Sequence, residues 1–571
     1  MGMRSLAPLG LVCFLQFSVT AAPAATFTVT NTNDSGPDSL RQAILDANTS
    51  PGADTIAFNI PGAGVHTVSP FSPLPALTDD AGVTIDGYTQ PGASPNALAV
   101  GDNAVLPIDL SGVSAGAGAF GLTVQSSSNF LRGLVINRFE RGISIQGGSG
   151  NKVSGCFIGT DPSGAIASPN RIGLGLVSPD PGVVTVAGTL IGGTDPGSRN
   201  IISGNSSGIP GGRSAGIALG FGVLSTTVSG NYIGTNAAGS LALPNDGDGV
   251  GVNVAADTMI GGTARGAGNV ISGNFSTGIN ATFSLRTTIQ GNLIGTNAAG
   301  TAPLPNYTGV LDDRTLSTVI GGGSAGTRNV ISGNTADGVL IVFETEQTSV
   351  NGNLIGTDIT GTMPLGNGQN GIAIRLFSTG NAIGGEAGLS NVIAYNGNRV
   401  SGNSIHDNGG LGIDLAGDGV TSNDPGDSDT GPNNLQNFPV LSSAVSNGIT
   451  TRIQGTLDSV PATTFKIEFF VSPSCDSSGN GEGQTLLGEA SVTTDAFGKA
   501  SFLMSVPSGS SNRVVTATAT DPAGNTSEFS ACAGVTFATL PSSVPTLSPA
   551  NLTALALLLG VVGVLALRNS L

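Results

Sequence analysis

Tryptophan is absent from this 571-residue chain, lysine occurs only at Lys152, Lys466 and Lys499, and histidine only at His66 and His406. Charged residues make up 10% of the sequence, and the formal net charge is −17. Phosphate backbones are bound by clustered cations, so this balance argues against nucleic acid as a partner. The two histidines lie far apart without neighbouring ligand residues and read as structural. No Ser-His-Asp order, zinc spacing or phosphate-binding loop stands out. Long apolar runs are missing from the body of the chain, and no burst is spaced at 3.6 residues, which argues against a helical enzyme. The 89 glycines fit turn-rich β structure instead.

What the chain does contain is repetition. Asn231-Tyr232-Ile233-Gly234-Thr235 returns as Asn292 to Thr296 and as Asn353 to Thr357, and Ile233, Ile294 and Ile355 are evenly spaced. A second phrase, Asn-Val-Ile-Ser-Gly-Asn, begins at Asn269 and Asn329, and at Asn200 with Ile201 in place of Val. A third, Ile-Gly-Gly, begins at Ile191, Ile260 and Ile320, and at Ile383. Each unit divides into halves that open on Gly and an apolar β-former, as at Gly216-Ile217, Gly249-Val250, Gly278-Ile279 and Gly338-Val339. Each half holds three short apolar bursts separated by turn residues. Fixed self-similarity of this kind predicts a solenoid. The fold class expected is all-β: a right-handed parallel β-helix, about 50 Å long for ten coils at the strand spacing.

In such a rod, equivalent inward residues stack into ladders, predicted here as Leu122, Ile143, Leu174, Ile217, Val250, Ile279, Val310, Val339, Ile372 and Ile413. Asn205, Asn231, Asn274, Asn292, Asn334, Asn353 and Asn403 fit turns, where Asn tolerates left-handed backbone and its amide can bond its neighbour along the stack. Cys156 occupies an Asn slot and reads as a buried, inert thiol. Longer excursions follow the Ile-Gly-Thr phrase and end at Pro169-Asn170, Pro244-Asn245, Pro305-Asn306 and Pro364 to Asn367. They recur in every second coil, so they should align as a ridge; this reads as turn chemistry at permitted insertion points, with a ligand face as the alternative.

The flanks differ from the rod. Residues 1–25 read as a secretory signal: Arg4, an apolar run, then small residues. Residues 26–100 read as a cap and lead-in, with a strand at Phe27 to Thr30 and a helix at Ser39 to Asn48. Ser39 and Gln42 form a capping-box pattern, and Leu40, Ala43, Ile44 and Ala47 share one face, as a plug for the open end of the rod requires. This segment resembles the opening of bacterial surface proteins usually read Cys-Ser-Leu-Arg-Glu-Ala, with Cys and Glu replaced. The β-helix is expected over 101–437. Residues 438–538 show about seven short alternating strands and predict an Ig-like β-sandwich. Cys475 and Cys532 are its cysteines and are expected to pair, worth roughly 4 kcal/mol for the loop they close. Residues 539–571 form a linker and a hydrophobic helix: Val544-Pro545-Thr546-Leu547-Ser548, an apolar run from Leu552 to Leu567, then Arg568. That order resembles the bacterial sorting tails read Ile-Pro-Thr-Leu-Ser. The resemblance implies a processing enzyme as a partner, membrane contact through this segment alone, and display outside the inner membrane. The alternative is a plain membrane anchor.

Candidate sites are few. The coil pattern resembles the pectin-lyase-like β-helices, whose enzymes carry carboxylates and an Arg or Lys base on one outer strand ladder. The corresponding row here runs Thr123, Ser144, Gly175, Ala218, Gly251, Asn280, Leu311, Leu340, Ala373 and Asp414, with one carboxylate and no cation. Asp312-Asp313-Arg314 is the densest charged cluster in the rod; it reads as a surface turn, with paired carboxylates acting as acid and base in sugar hydrolysis as the alternative, and no catalytic residue is assigned. Asp312 would point inward, so it must pair, for instance with Arg314, or the strand must shift. Asp424, Asp427 and Asp429 alternate around a tight turn and read either as a calcium site or as a solvated linker, without the full EF-hand pattern. No other cofactor is implied. The expected role is a secreted or cell-surface structural or adhesive protein that binds a surface polysaccharide. The alternative is a polysaccharide lyase or glycoside hydrolase.

Overall fold

A burst such as Gly249-Val250-Gly251-Val252 can bury only alternate side chains, so it is stable only when stacked on its equivalents. The computed structural model, which describes residues 24–559 with gaps within 181–184, at 209–213, within 375–418, at 431, 508–512 and 524, and within 538–555, is built on that stacking. Among the described residues three parallel sheets of twelve, twelve and nine strands run along a β-helix. The expected inward row is in register from Leu122 through Ile143, Leu174, Ile217, Val250, Ile279, Val310 and Val339 to Ile372. Ile413 is buried as well. Fully burying such a side chain stabilises by roughly 1.5–3 kcal/mol.

The sheets begin earlier than the apolar pattern suggests. Thr26–Val29 pairs with Asp54–Phe58, which pairs with Val83–Asp86, and His66–Val68 pairs with Ile108–Ser111. The irregular lead-in is therefore already sheet. The helix forms at Leu40–Ala47 and buries Leu40, Ala43, Ile44 and Ala47. Only half of the capping box is present. The Ser39 hydroxyl accepts the Gln42 N–H at 3.3 Å, but the Gln42 amide turns forward to Asp46 at 2.8 Å.

Two asparagine ladders line the corners. Asn200, Asn231, Asn269, Asn292, Asn329, Asn353 and Asn391 form one, each Nδ2 donating to the next Oδ1 at 2.8–3.0 Å. Asn170, Asn205, Asn245, Asn274, Asn306, Asn334 and Asn367 form the other, at 2.8–3.1 Å. The expected left-handed backbone belongs instead to the preceding glycines, Gly204, Gly230, Gly273, Gly291, Gly333 and Gly352. At Gly230 a Cβ would lie 2.0 Å from the Gly193 carbonyl, so the tight turn excludes any side chain and frees the asparagine to point inward. Asn403 lies outside the described residues.

The C-terminal unit is the expected all-β module, a sandwich or barrel built from one near-closed mixed sheet. Its seven strands, Val440–Ser446, Thr450–Asp458, Thr464–Ser472, Thr485–Thr493, Lys499–Pro507, Val514–Thr520 and Ala533–Phe537, join edge to edge in one mixed sheet that curls nearly closed. Ala533–Phe537 joins the two halves of this sheet, pairing antiparallel with Val514–Thr520 and parallel with Val440–Ser446. The Cys475–Cys532 disulfide is present.

This unit also closes the rod. The rings of Phe470 and Phe529 meet edge to face at 5.3 Å and belong to the same buried cluster as Ile405, Ile413 and Leu415. Ile405 and Gly483 exchange backbone hydrogen bonds at 3.0 and 2.9 Å. The Glu528 carboxylate accepts the N–H groups of Leu415 and Thr421, both at 2.9 Å. The last strand edge is thereby covered. Residues 1–23, where a signal is expected, Asp414 and most of the C-terminal apolar run lie outside the described residues. No helix among the described residues is long and apolar enough to cross a membrane.

Candidate functional site

The excursions after Ile-Gly-Thr fold as hairpins closed by antiparallel bridges, Thr160–Ala167, Thr235–Ala242, Thr296–Pro303 and Thr357–Pro364. At each base an Asp or Asn side chain accepts N–H groups of the returning strand, as Asn236 does from Ser240 at 3.0 Å and Asp358 from Met363 at 3.1 Å. Local side-chain bonds of this kind favour a turn over continued sheet. The tips are hydrogen-bonded to one another. The N–H of Ala237 donates to the Gly164 carbonyl (2.9 Å), Ala298 to Gly239 (2.8 Å) and Ile359 to Gly300 (2.9 Å). The expected ridge thus exists. It roofs the outer side of one twelve-stranded sheet, where Phe157, Ile201, Tyr232 and Val270 form a second buried cluster with Ala237.

Beside this ridge runs a groove of ≈620 Å³ lined by Pro244 and Pro305 from the hairpin returns, by Phe275 and Tyr307, and by Gly273, Asn274, Ser276, Asn306 and Thr335. Its lining contains no charged side chain. Phe275 and Tyr307 stand on successive coils and are each 56% exposed. Both follow an asparagine of the second ladder, so the ladder fixes their backbone. Sequence reasoning missed them because other coils place Ser206, Asp246 and Thr335 there. The available signal was two aromatics in succession at one register position. Exposed rings spaced by one coil, about 4.8 Å, in an uncharged groove can stack against the apolar faces of sugar rings while Tyr307 offers a polar tip.

The structure splits the Asp312-Asp313-Arg314 cluster. Asp312 is fully buried in register with Ala281 and Ile341, as strict alternation requires. Its partners are threonines rather than Arg314. Oδ1 accepts the hydroxyls of Thr315 (2.7 Å) and Thr318 (3.0 Å), and Thr348 Oγ1 lies 2.5 Å from Oδ2. Burial pushes the carboxyl above its ordinary range, the three hydroxyls oppose the shift, and Asp313 adds to it. Arg314 cannot reach because it sits at the left-handed corner after the strand, with φ 51°. It pairs with Asp313 at 2.7 Å and lies between the rings of Phe283 and Phe343, 4.5 and 5.0 Å from their centres.

Asp424, Asp427 and Asp429 do converge, with carboxylate oxygens within 4.8 Å of one another. Asp424 accepts the Ser428 hydroxyl at 2.7 Å, and Asp427 accepts the Asn437 N–H at 3.0 Å. Asp429 Oδ1 is buried without a partner. Burial, then the charges of Asp429 and Asp424, push Asp427 up to about 6, although Ser459 and Asn437 oppose this. A hard oxygen set with one orphan acceptor fits Ca²⁺ in chemistry. Cys156 is buried in its ladder slot, its N–H donating to Asn200 at 2.9 Å, and burial pushes the thiol up to about 12. His66 and His406 lie on strands near opposite ends of their sheet.

These features define a parallel β-helix closed at its C-terminal end by a curled mixed sheet. Residues 542–569 match the IPTL-CTERM motif, a sorting motif that implies C-terminal processing and an exported, surface-anchored protein. Among solved structures, tailspike protein 2 of Escherichia coli O157:H7 bacteriophage CAB120 is 12% identical, over 90% of this chain and 69% of its own, with a TM-score of 0.29. The A-module of a mannuronan C-5 epimerase from Azotobacter vinelandii is 12% identical over 66% of this chain and 90% of its own (TM-score 0.33). An alginate lyase from Paenibacillus sp. is 14% identical over 58% and 94% (TM-score 0.28). At these values the likeness concerns architecture and carries no argument about substrate. No curated protein matches the chain.

Proposed function

We propose that the protein is a surface-displayed adhesive rod that binds an uncharged stretch of polysaccharide in the groove beside the hairpin ridge. The observation that carries this reading is the pair of exposed rings, Phe275 and Tyr307, on successive coils of an uncharged groove. The C-terminal motif supports display, and the same reading makes the sorting enzyme that handles it a partner. The three carboxylates of Asp424, Asp427 and Asp429 are proposed to hold calcium where the rod meets the C-terminal sheet. The alternative, a lyase or hydrolase, would gather a carboxylate pair on one exposed face. Asp312 is sealed in the core and Asp313 is tied to Arg314, so that cluster gives it no support.

The test is retention of the purified full chain on immobilised neutral and acidic glycans. Binding to a neutral glycan, lost in the Phe275→Ala/Tyr307→Ala double variant, supports the reading. Absence of binding across a broad panel sinks it, and release of unsaturated or reducing ends would favour the enzyme.

A further inference from the structure

A second groove lies on the other flank of the hairpins. Its far wall is built by the loops after the Ile-Gly-Gly phrases, at 193–199, 262–268 and 322–328, and its floor is the outer face of the roofed sheet. The upper part is already filled by the chain's own segment 96–106. Asn96 Nδ2 donates to the Pro196 carbonyl at 3.1 Å. The Arg199 guanidinium donates to the main-chain carbonyls of Leu98 (3.2 Å), Ala99 (2.9 Å) and Gly101. The Gly101 N–H donates to Tyr232 Oη at 2.9 Å, and the Tyr232 ring lies 4.4 Å from the Arg199 guanidinium carbon. One arginine thus holds an extended peptide by its carbonyls over an apolar floor.

Two repeats further along, the same parts recur with no segment of the described residues laid across them. Arg328 directly precedes ladder residue Asn329, as Arg199 precedes Asn200. Val330 pairs with Leu354 as Ile201 pairs with Tyr232. Leu293, Val330, Leu354 and Ile359 give the floor, and Arg265 and Arg328 stand on the wall of an open space of ≈410 Å³. Arg328 is exposed, lines this space and donates its Nε–H to the Gly352 carbonyl at 3.0 Å. Ile359 is 48% exposed there. The open stretch continues the seat of the chain's own segment, which ends against Ala238 of the second hairpin.

We propose that this stretch docks an extended, uncharged peptide segment of a partner protein, with Arg328 taking its main-chain carbonyls as Arg199 takes those of Leu98, Ala99 and Gly101. Carbonyl recognition by a guanidinium gives affinity without sequence demand, and the aliphatic floor favours small apolar side chains such as those of Ala97 to Gly101. The proposal is independent of the glycan groove, which lies across the ridge.

The probe is an end-capped, fluorescent hexapeptide copying residues 96–101, titrated into the full chain and read by anisotropy. Saturable binding is expected, weakened about tenfold or more by Arg328→Ala, in line with the loss of charge-assisted hydrogen bonds. Ile359→Asp, an exposed change at the floor, should weaken it as well, and Phe275→Ala should leave it unchanged. Circular dichroism checks that each variant keeps its β signal. Absence of saturable binding, or binding indifferent to both Arg328→Ala and Ile359→Asp, overturns the proposal. Displacement of the peptide by polygalacturonate through Arg265 and Arg328 would also overturn it, in favour of an acidic glycan.

Discussion

Replacing Asn292 by Ala should break the rod in the middle of its first asparagine ladder. The Asn292 Oδ1 accepts both the N–H of Asn269 (3.1 Å) and its Nδ2 (2.9 Å), and all of these groups are buried. Its own Nδ2 donates to the Ile260 carbonyl, the Gln290 carbonyl and Asn329 Oδ1 at 2.9–3.0 Å. Truncation orphans two buried donors. Each costs about 1–3 kcal/mol, so the variant should lose about 4 kcal/mol. Asn297→Ala is the matched control, because Asn297 accepts N–H groups of Thr301 and Ala302 only at an exposed turn. It should lose less than about 1 kcal/mol. A solenoid need not unfold in one step, so the measurement is native-state amide exchange, followed in coils on either side of residue 292. Protection should fall most at Asn269 and its neighbours and fade with distance along the rod. A loss below about 1 kcal/mol, equal to that of Asn297→Ala, would show that the ladder is ornamental and that the apolar row alone holds the coils.

Four further outcomes are expected. Asp312 has a raised folded pKa, so its ionised form is penalised in the fold above the unfolded value of 3.8, and that penalty disappears as pH falls through the folded value. Asp312→Asn should therefore be more stable than the parent at pH 7 and lose this advantage toward pH 4, as read from denaturation midpoints; an advantage that grows on acidification would refute the assignment. If the Asp424, Asp427 and Asp429 cluster holds calcium, Ca²⁺ should raise the melting temperature at pH 7.5 and do so less below about pH 6, where Asp427 is protonated and the proton competes with the metal; a Ca²⁺ response unaltered by Asp427→Asn would remove the site. Iodoacetamide at pH 8 should leave Cys156 unmodified in the folded chain, since its thiol is buried and pushed up to about 12, whereas reducing Cys475–Cys532 should cost the C-terminal sheet roughly 4 kcal/mol.

The sequence by itself determined whatever repeats. Each coil places residues of equal rank one strand spacing apart, so the row from Leu122 to Ile372, the asparagine ladders and the hairpin ridge could be read directly from recurrence. The inward direction of Asp312 followed from the same alternation. The tail motif and the cysteine pair were local or unique enough to be read alone. Only the tertiary structure decided the contacts between unlike ranks. Thr348 reaches the buried Asp312 carboxylate from the next coil, where it holds the place that Thr318 holds in the coil of Asp312 itself. Phe275 and Tyr307 become a groove only because Pro244 and Pro305 return beside them. Arg199 closes on carbonyls about a hundred residues earlier in the chain. Phe470 and Phe529 cap a rod to which they do not belong in sequence. The one-sheet closure of the C-terminal unit escaped for the same reason: alternation marks which strands exist and which faces they bury, but their neighbours are chosen by edge pairing, which leaves no period in the chain.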